Sequence, residues 1–389
     1  MNENQRFMAI LHRQTPDRVP WIARMVLWYT YHKSKGTLPE KYRDWELWDI
    51  QRDLGVGIMG RTRLYSKNMK GVEVRTHQKG NEALTEYITP IGTVTTLHKV
   101  RPDLAVSVYT GEVRSLEVGV HRADYAYQSE HMIKGVEDYP VVEYIIENTE
   151  VVPSYEDYLH TEQQVGGDGV ALAMVDRVPI QDVLIHFIGF ERAFYELYDH
   201  ISQVEHLLQV LTDFHREKLW PICLDAPAEL IETGANLSGV MTTPSLFESY
   251  FAPYTSEYSE RLHAKGKVLG THLDGDPAPL LKVVPESGLD MVEAFTPAPM
   301  TNCTLGDAVK AYKGKVMIWG GIPSTILCPD SMGDEQFQAQ LHGIFSEIGS
   351  GDGFILGVGD NIMPEASLER VLMVREMVEK HGRVPVQTS

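Results

Sequence analysis

The chain is poor in cysteine and in basic side chains. Only three of its 389 residues are cysteines, and 35 basic side chains stand against 54 acidic ones, for a formal net charge of −19. Cys223, Cys303 and Cys328 are too few and too scattered for a disulfide framework or a thiolate-rich zinc site. The acidic balance argues against nucleic acid and anionic membranes as partners, because both require a basic surface.

Long apolar runs are also missing. No uninterrupted apolar stretch reaches the length of a membrane span. The N-terminal stretch MNENQRFMAILHRQTPDRVP lacks the apolar middle and the small-residue cleavage site of a signal peptide. The hydrophobic fraction of 43% is ordinary for a globular protein. We therefore expect a globular protein of the reducing cytoplasm.

From about residue 130 onward, short apolar segments alternate with helical ones. The apolar segments are VALAMV, LIETGANL, VLGTHL, LDMVEAF, VMIWGGI and FILGVG. Buried strands that alternate with helices are typical of a parallel sheet covered on both faces. The number of repeats predicts an α/β fold of the TIM (β/α)8 barrel type, with a doubly wound open sheet as the alternative.

The N-terminal third follows a different pattern. Residues 1–14 predict a short helix and residues 18–26 a strand, and an N-terminal helical segment then ends at Gly55. Residues 69–115 alternate in polarity between glycine and proline breaks, which predicts a β-hairpin insertion. We expect a single domain over residues 1–389 that contains this insertion.

Polar side chains lie at or just after the ends of several predicted strands. They are Asn236, His272, Asp274, Glu293, Asp360 and Asn361. The carboxyl ends of barrel strands surround the active site, so these groups would converge at one mouth. One imidazole and several carboxylates suit a borderline cation such as zinc. The alternative for His272 and Asp274 is a capped turn, and Asp276 with Pro277 predicts a structural cap.

Four segments resemble the uroporphyrinogen decarboxylase superfamily. They are RFMAILHRQTPDRVP, TPIGTVTT, HLDGD and GFILGVGDNIMPEASLERVLMVREMVEKHG. The resemblance covers essentially the whole chain, and it is more specific in the C-terminal third than between residues 100 and 170. It is closer to the corrinoid-dependent methyltransferase branch than to the decarboxylases, and it implies a TIM barrel.

The chain departs from the decarboxylases at two positions of their pattern. Arg24 stands where their first substrate-binding arginine stands, but Trp28 occupies the position of the second. An indole cannot form the bidentate bond that a guanidinium makes with a carboxylate. The late histidine of the decarboxylases is also missing from GVGDN. The resemblance therefore does not imply a true uroporphyrinogen decarboxylase.

The methyltransferase branch binds zinc through His-x-Cys and a later cysteine, and the related cobalamin-independent methionine synthase adds a glutamate. His272 matches the histidine and Asp274 stands at the first cysteine, while Glu293 and Val358 stand near the glutamate and the last cysteine. Without thiolates, a zinc ion would be harder and more electrophilic, and would suit an ether oxygen. This implies the first methyltransferase of an O-demethylase system, which moves a methyl group from a methoxylated aromatic to the Co(I) of a corrinoid protein. Methylated amines or thiols are alternative donors.

The resemblance implies a role for each of these side chains. Zinc would be held by His272, Asp274 and Glu293, with Asp360 and Asn236 as catalytic groups. The substrate would be bound by Arg24, Trp28, Tyr29, Met174, Trp319 and Asn361. Tyr31 is a further pocket candidate, and Asp176 or Arg177 would either orient a ring substituent or form a structural salt bridge. The alternative for the aromatic residues is ordinary core packing.

Other functions remain open alternatives. Methyl transfer from a methylcorrinoid to tetrahydrofolate or a thiol would use the same fold and partner. A metal-free decarboxylase would hold a substrate carboxylate with Arg24. A ligand- or corrinoid-binding protein would bind without turnover. The expected partners are a corrinoid protein, a small methylated substrate and, in a homodimer, a second copy of the chain.

Overall fold

The computed structural model describes residues 1–100, 126–234 and 236–386. The predicted strand SVYTGEV lies outside the described residues. The chain divides into two compact units. The barrel unit consists of Met1–Thr62, Tyr158–Ala173 and Ala228–Ser389, and the second unit consists of Arg63–Asp157 and Met174–Pro227. The expectation of a single domain stays a prediction.

Helices occur throughout both units. Those of the described residues are α1 (Glu3–Leu11), α2 (Val26–Lys35), α3 (Leu47–Leu54), α4 (Tyr139–Glu147), α5 (Glu156–Val165), α6 (Pro179–Asp182), α7 (Phe190–Asp199), α8 (Ile201–Phe214), α9 (Trp220–Asp225), α10 (Pro244–Leu246), α11 (Ala252–His263), α12 (Leu305–Tyr312), α13 (Asp334–Glu347) and α14 (Leu368–His381). Helices α6, α8 and α10 continue into π-helical turns at Val183–Phe187, His215–Leu219 and Phe247–Phe251. No helix of the described residues is long and apolar enough to cross a membrane.

The strands form one large sheet and two small ones. They are β1 (Ile58–Arg63), β2 (Tyr65–Met69), β3 (Glu73–Lys79), β4 (Glu82–Thr89), β5 (Gly92–Val100), β6 (Ala126–Glu130), β7 (Thr149–Pro153), β8 (Gly169–Val175), β9 (Leu230–Thr233), β10 (Val268–His272), β11 (Met291–Phe295), β12 (Met317–Ile322) and β13 (Phe354–Val358).

The large sheet runs in the order β1, β8, β9, β10, β11, β12, β13, and the strands from β9 to β13 pair in parallel. A short segment closes it into a ring, because Trp21 pairs in parallel with Leu356 and Ile22 pairs in parallel with Gly57. The N–H of Ile22 donates to the carbonyl of Leu356 at 3.0 Å, and that of Gly57 donates to Trp21 at 2.8 Å. Pro20 has no N–H to donate, so the strand predicted here is limited to these bridges. The closure confirms the predicted barrel and excludes the open sheet.

The barrel strands are buried because they are apolar on both faces. Every residue of β11, β12 and β13 is buried, as is typical of parallel strands covered by helices. On α11, Tyr254, Tyr258 and Leu262 lie one turn apart and are buried, so they form the apolar face of this helix. This packing fixes the carboxyl ends of the strands in space.

The second unit contains the predicted insertion. Strands β3, β4, β5 and β6 form an antiparallel sheet in sequence order, and β2 pairs with β7. The alternating segments of residues 69–115 supply β3, β4 and β5. Strand β6 lies beyond the predicted boundary, because its short polar sequence AYQSE does not show the alternation.

Candidate functional site

Three neighbouring barrel strands present acidic and imidazole side chains to the same place. The Cα atoms of His272 and Glu293 are direct partners across β10 and β11, and Glu232 on β9 is the partner of Gly270. Because strand side chains alternate, His272 lies on the same face as Gly270, two residues further along. The parallel register therefore brings Glu232, His272 and Glu293 together.

These three side chains form the candidate metal site, and we call them the site triad. One possible ligand atom from each lies within 4.8 Å of the others, and all three residues are buried. Glu232 is fully buried, and its Oε2 has no hydrogen-bond partner among the described residues. An imidazole nitrogen and two carboxylates, one of which has an oxygen without a partner, are donors that fit a zinc ion.

Arg61 of β1 enters the same space. Its Nη2 lies 2.7 Å from Oε2 of Glu293 and 3.3 Å from Oε1 of Glu232. The same nitrogen lies 3.2 Å from Nδ1 of His272. The guanidinium thus occupies the side of the triad that a metal ion would need. An ion and Arg61 would compete for the two carboxylates, because both carry positive charge.

The two carboxylates of the triad titrate in opposite directions. Burial, together with the negative charge of Glu293, raises the pKa of Glu232 to about 7. Burial also acts to raise the pKa of Glu293, but the nearby charges of Arg61 and His272 outweigh it and lower this pKa. Two like charges in one buried site cannot both ionise at low cost. The site therefore holds one ionised glutamate and one that exchanges its proton near neutral pH.

His272 is held in its charged form. Burial opposes the imidazolium, but the carboxylates of Glu293 and Asp274 outweigh it and keep the pKa of His272 well above its usual value. Its Nδ1 contacts Oε2 of Glu293 directly. A metal ligand must be neutral imidazole, so metal binding here would release a proton and depend on pH.

The backbone beside Glu293 is irregular. The register between β11 and β12 shifts between Val292 and Phe295, and Ala294 within this bulge has a φ of 58°. Residues other than glycine rarely adopt this left-handed region, and such strain concentrates at functional sites. The bulge sets the direction of the adjacent Glu293 side chain.

Asp360 faces the other ring nitrogen of His272. Its Oδ1 lies 3.7 Å from Nε2 of His272 and also contacts Nη1 of Arg24, a buried side chain. Burial acts to raise the pKa of Asp360, but the charges of Arg24 and His272 dominate and lower it to about 2. Asn361 donates from Nδ2 to Oδ2 of Asp360 at 3.3 Å, and its buried Oδ1 has no partner among the described residues. Asp360 is therefore an ionised carboxylate beside the triad.

Asp274 and Asn236 lie at the edge of the site. Oδ2 of Asp274 is 3.6 Å from Nε2 of His272, on the side away from Glu293, and this side chain is not part of the triad. The side chain of Asn236 is exposed, while the N–H of Leu237 donates to the carbonyl of His272 at 2.9 Å. The structure thus brings His272 and Glu293 together as predicted, with Glu232 in the place expected for Asp274.

The aromatic candidates of the barrel unit have structural contacts. Trp319 is buried, donates from Nε1 to the carbonyl of Ile22 at 2.9 Å and packs edge-on against Phe7. Trp28 is buried beside His32. The hydroxyl of Tyr29 donates to Oε2 of Glu46 at 2.8 Å, and Tyr31 is half-buried. Their roles in substrate binding stay predictions.

Met174, Asp176 and Arg177 belong to the second unit. Met174 is half-buried at the end of β8. Asp176 accepts a hydrogen bond from the hydroxyl of Tyr65 at 2.9 Å and contacts Nζ of Lys67. Arg177 contacts His186 and lies 3.7 Å from Asp182. The structural salt bridge is therefore the better account of Asp176.

Two residues of the site were not identified from the sequence. Glu232 lies in the apolar run LIET, and an acidic residue in a buried strand is costly unless it is paired or functional. Glu232 could therefore have been recognised from the sequence as a candidate. Arg61 is one of two arginines in RTRL, and no local pattern distinguishes it from Arg63.

Comparison with known proteins identifies the family and the fold. Residues 179–381, just over half of the chain, match the family uroporphyrinogen decarboxylase (URO-D). A solved methyltransferase from Methanosarcina mazei has a TM-score of 0.57 at 14% identity, with 98% of this chain and 99% of that chain covered, which shows the same fold. A Bacteroidetes-affiliated GH5 cellulase has a TM-score of 0.35 at 9% identity, with 65% of this chain and 78% of that chain covered. Dispersin B has a TM-score of 0.28 at 13% identity, with 59% of this chain and 78% of that chain covered. Both TM-scores are too low to support an inference about this chain. No curated protein matches.

Proposed function

The chain belongs to the uroporphyrinogen decarboxylase family, and from this premise we propose that it is a zinc-dependent methyltransferase. Its methyl donor is a methoxylated aromatic compound and its acceptor is the Co(I) of a corrinoid protein. The observation that carries the proposal is the buried triad of Glu232, His272 and Glu293, whose ligand atoms converge within 4.8 Å. The fold shared with a solved methyltransferase supports the reaction class.

The composition of the triad supports an oxygen-bound methyl group. When bound, zinc supplies a Lewis acid that draws electron density from an ether oxygen. Glu232, His272 and Glu293 would hold it without any thiolate, and Arg61 would have to leave the position it takes between the two glutamates.

The pair of Arg24 and Asp360 would orient the substrate. Asp360 is ionised and can accept a hydrogen bond from a ring hydroxyl, while Arg24 holds the carboxylate in place. The buried Oδ1 of Asn361 offers a second acceptor. These groups would hold the aromatic ring in a fixed orientation for the transfer.

A second candidate function is decarboxylation without a metal. The observation that favours it is the pair of buried guanidinium groups, since Arg24 is 5% exposed and Arg61 is 12% exposed. Two such cations would bind the carboxylate of an aromatic acid. Both are already paired with carboxylates of the protein, so this substrate would have to displace those partners.

Metal analysis followed by a transfer assay tests the proposal. Protein prepared without chelators should contain near-stoichiometric zinc by plasma mass spectrometry, and His272→Ala and Glu232→Gln should each lose it. His342→Ala, at an exposed histidine of α13, is the matched control and should retain zinc. Wild type should then demethylate methoxylated aromatics with chemically reduced cobalamin as the acceptor, measured by loss of the Co(I) absorbance.

The results separate the alternatives. Metal-free wild type that releases carbon dioxide from an aromatic acid would replace the proposal with the decarboxylase. The protein could instead contain zinc, fail to demethylate methoxylated aromatics, and use methylcobalamin to methylate tetrahydrofolate or a thiol. This result would show that the methyl group moves in the direction opposite to the proposed one.

A further inference from the structure

The second arginine of RTRL, Arg63, belongs to the second unit and lacks a partner. It is the last residue of β1 and is half-buried. Its Nε is buried without a hydrogen-bond partner, and its guanidinium forms no ion pair with the described residues. Burial lowers the pKa of Arg63, and the negative charge of Asp176, which acts in the opposite direction, does not offset the effect. Buried polar groups are almost always hydrogen-bonded, so this nitrogen requires an explanation other than internal packing.

The charges around Arg63 do not balance. The ammonium of Lys67 contacts Oδ2 of Asp176, and the hydroxyl of Tyr65 donates to Oδ1 of Asp176 at 2.9 Å. The side chains of Lys67 and Asp176 are only 9% and 3% exposed, and their charges neutralise each other at close range. His215 lies 3.8 Å from Asp176 and is neutral, because burial lowers its pKa to about 4. The positive charge of Arg63 is therefore in excess.

We propose that Arg63, Lys67 and Asp176 form a binding site for the carboxylate of a small organic acid, and we call these three residues the Arg63 site. A guanidinium has two parallel N–H groups that match the two oxygens of a carboxylate. With two cations and one anion, the Arg63 site has one positive charge left to neutralise. A carboxylate carries this single negative charge, whereas a phosphate group at neutral pH carries about 1.5 to 2.

The surroundings of Arg63 favour a ligand over a structural role. A structural arginine offsets the cost of its burial with bonds to the protein, and Arg63 makes none within the described residues. Because Arg63 is half-buried rather than enclosed, a small acid can reach it from the solvent. Asp176 also limits the ligand to a single negative charge, since its carboxylate would repel a more highly charged anion.

Titration calorimetry of the full chain with benzoate tests the Arg63 site. Wild type should bind benzoate, and should bind its neutral isostere benzamide at least about 10-fold more weakly. Arg63→Met should raise the benzoate Kd by about 10-fold or more, because a hydrogen bond to a charged group is lost. Arg75→Met, at an exposed arginine of β3 that pairs with Glu73, is the matched control and should leave the Kd unchanged. Asp176→Asn should lower the Kd, because the repelling carboxylate is removed.

Four outcomes would overturn the assignment. Wild type that binds no benzoate at millimolar concentration would exclude the site, and an unchanged Kd in Arg63→Met, with binding lost in Arg24→Met, would place the acid in the barrel unit. Tighter binding of phenyl phosphate than of benzoate would exclude a carboxylate ligand.

Urea denaturation of Arg63→Met separates binding from a structural role. Its unfolding midpoint should not fall, since Arg63 makes no bond within the described residues; a clear fall would show that Arg63 stabilises the fold and is the fourth overturning outcome. This variant should therefore fold, and it decides the question even if Asp176→Asn does not fold.

Discussion

Two clusters of buried charge, one in each unit, differ in how their charges are balanced. In the barrel unit, the site triad places two glutamates beside one histidine and Arg61. In the second unit, Asp176 contacts the hydroxyl of Tyr65 and the ammonium of Lys67, and the charge of Arg63 lies nearby. We call Tyr65, Lys67, Asp176 and His215 the second-unit cluster.

The second-unit cluster has no excess of negative charge. Burial acts to raise the pKa of Asp176, but the nearby charge of Lys67 outweighs it and lowers the pKa. Burial lowers the pKa of His215 to about 4, so this imidazole is neutral at physiological pH. The carboxylate of Asp176 therefore has the cation of Lys67 directly beside it and the charge of Arg63 nearby. An added cation would have no unbalanced carboxylate to neutralise here.

The site triad is incomplete by comparison. Burial and Glu293 keep Glu232 from ionising until the pH is near 7, and its Oε2 lacks a partner among the described residues. An added cation would favour the ionised form of Glu232 and would also give its Oε2 a partner. The difference teaches that burial alone does not mark a functional site. A buried carboxyl group whose pKa lies near neutrality and whose oxygen lacks a partner marks a candidate.

The largest effect should follow from breaking the second-unit cluster. Asp176→Ala leaves the ammonium of Lys67, which is 9% exposed, without its carboxylate. The free energy of unfolding should fall by about 3–5 kcal/mol, because an unpaired buried charge is costly. Urea denaturation measures this change. Glu286→Ala, which breaks an exposed pair with Lys315, is the control and should cost less than about 1 kcal/mol; equal losses would contradict the comparison.

The second-largest effect should be the pH dependence of the free energy of unfolding. The folded pKa of Glu232, about 7, exceeds its ordinary value of 4.5, so the folded state retains a proton that the unfolded state releases. Its stabilising contribution is complete below pH 4.5 and is lost as the pH rises toward 7, by about 3 kcal/mol at most.

Chelator-treated protein provides the measurement. The difference in unfolding free energy between wild type and Glu232→Gln should fall between pH 5 and 7 and then level off. A difference that stays constant over this interval would show that Glu232 titrates normally.

Arg61 should compete with a metal ion for the two glutamates, so its replacement should increase the metal affinity. Arg61→Met removes the positive charge that lies 2.7 Å from Glu293 and 3.3 Å from Glu232, so zinc should bind about 10-fold more tightly. Competition with a chromophoric chelator measures the affinity. Arg52→Met, at a partly exposed arginine that pairs with Asp168, is the control. Loss of zinc binding in Arg61→Met would mean that the guanidinium organises the ligands.

The smallest effect should be that of Asp274→Asn. Asp274 is a ligand by sequence comparison but lies outside the triad, so its change should alter zinc affinity by about 3-fold or less. Glu232→Gln removes a triad member and should weaken binding by at least about 100-fold, beyond the effect of losing an outer-shell partner. If Asp274→Asn weakened zinc binding more than Glu232→Gln did, the ligand set inferred from the sequence, which includes Asp274, would be supported instead.

Much of the barrel was predictable because each strand carries its own signal. The segments VLGTHL, VMIWGGI and FILGVG are apolar on both faces, which is the local requirement for a parallel strand between two helical layers. The structure finds them as β10, β12 and β13. The strand predicted over residues 18–26 was too long, since only Trp21 and Ile22 pair with the neighbouring strands. Its extent depends on two partners from separate parts of the chain, Gly57 and Leu356.

The sequence by itself determined the family, the barrel and two members of the triad. His272 and Glu293 could be identified because each lies in a recognisable strand, His272 at its carboxyl end and Glu293 in its middle. The third member, the position of Arg61 and the solvent-facing side of α7 were decided only by the tertiary structure. Glu232 joins His272 through the register of β9 on β10, and Glu196 sets the rotation of α7 through Tyr139, 57 residues earlier in the chain. Register and rotation depend on contacts between distant segments, and local sequence patterns do not encode them.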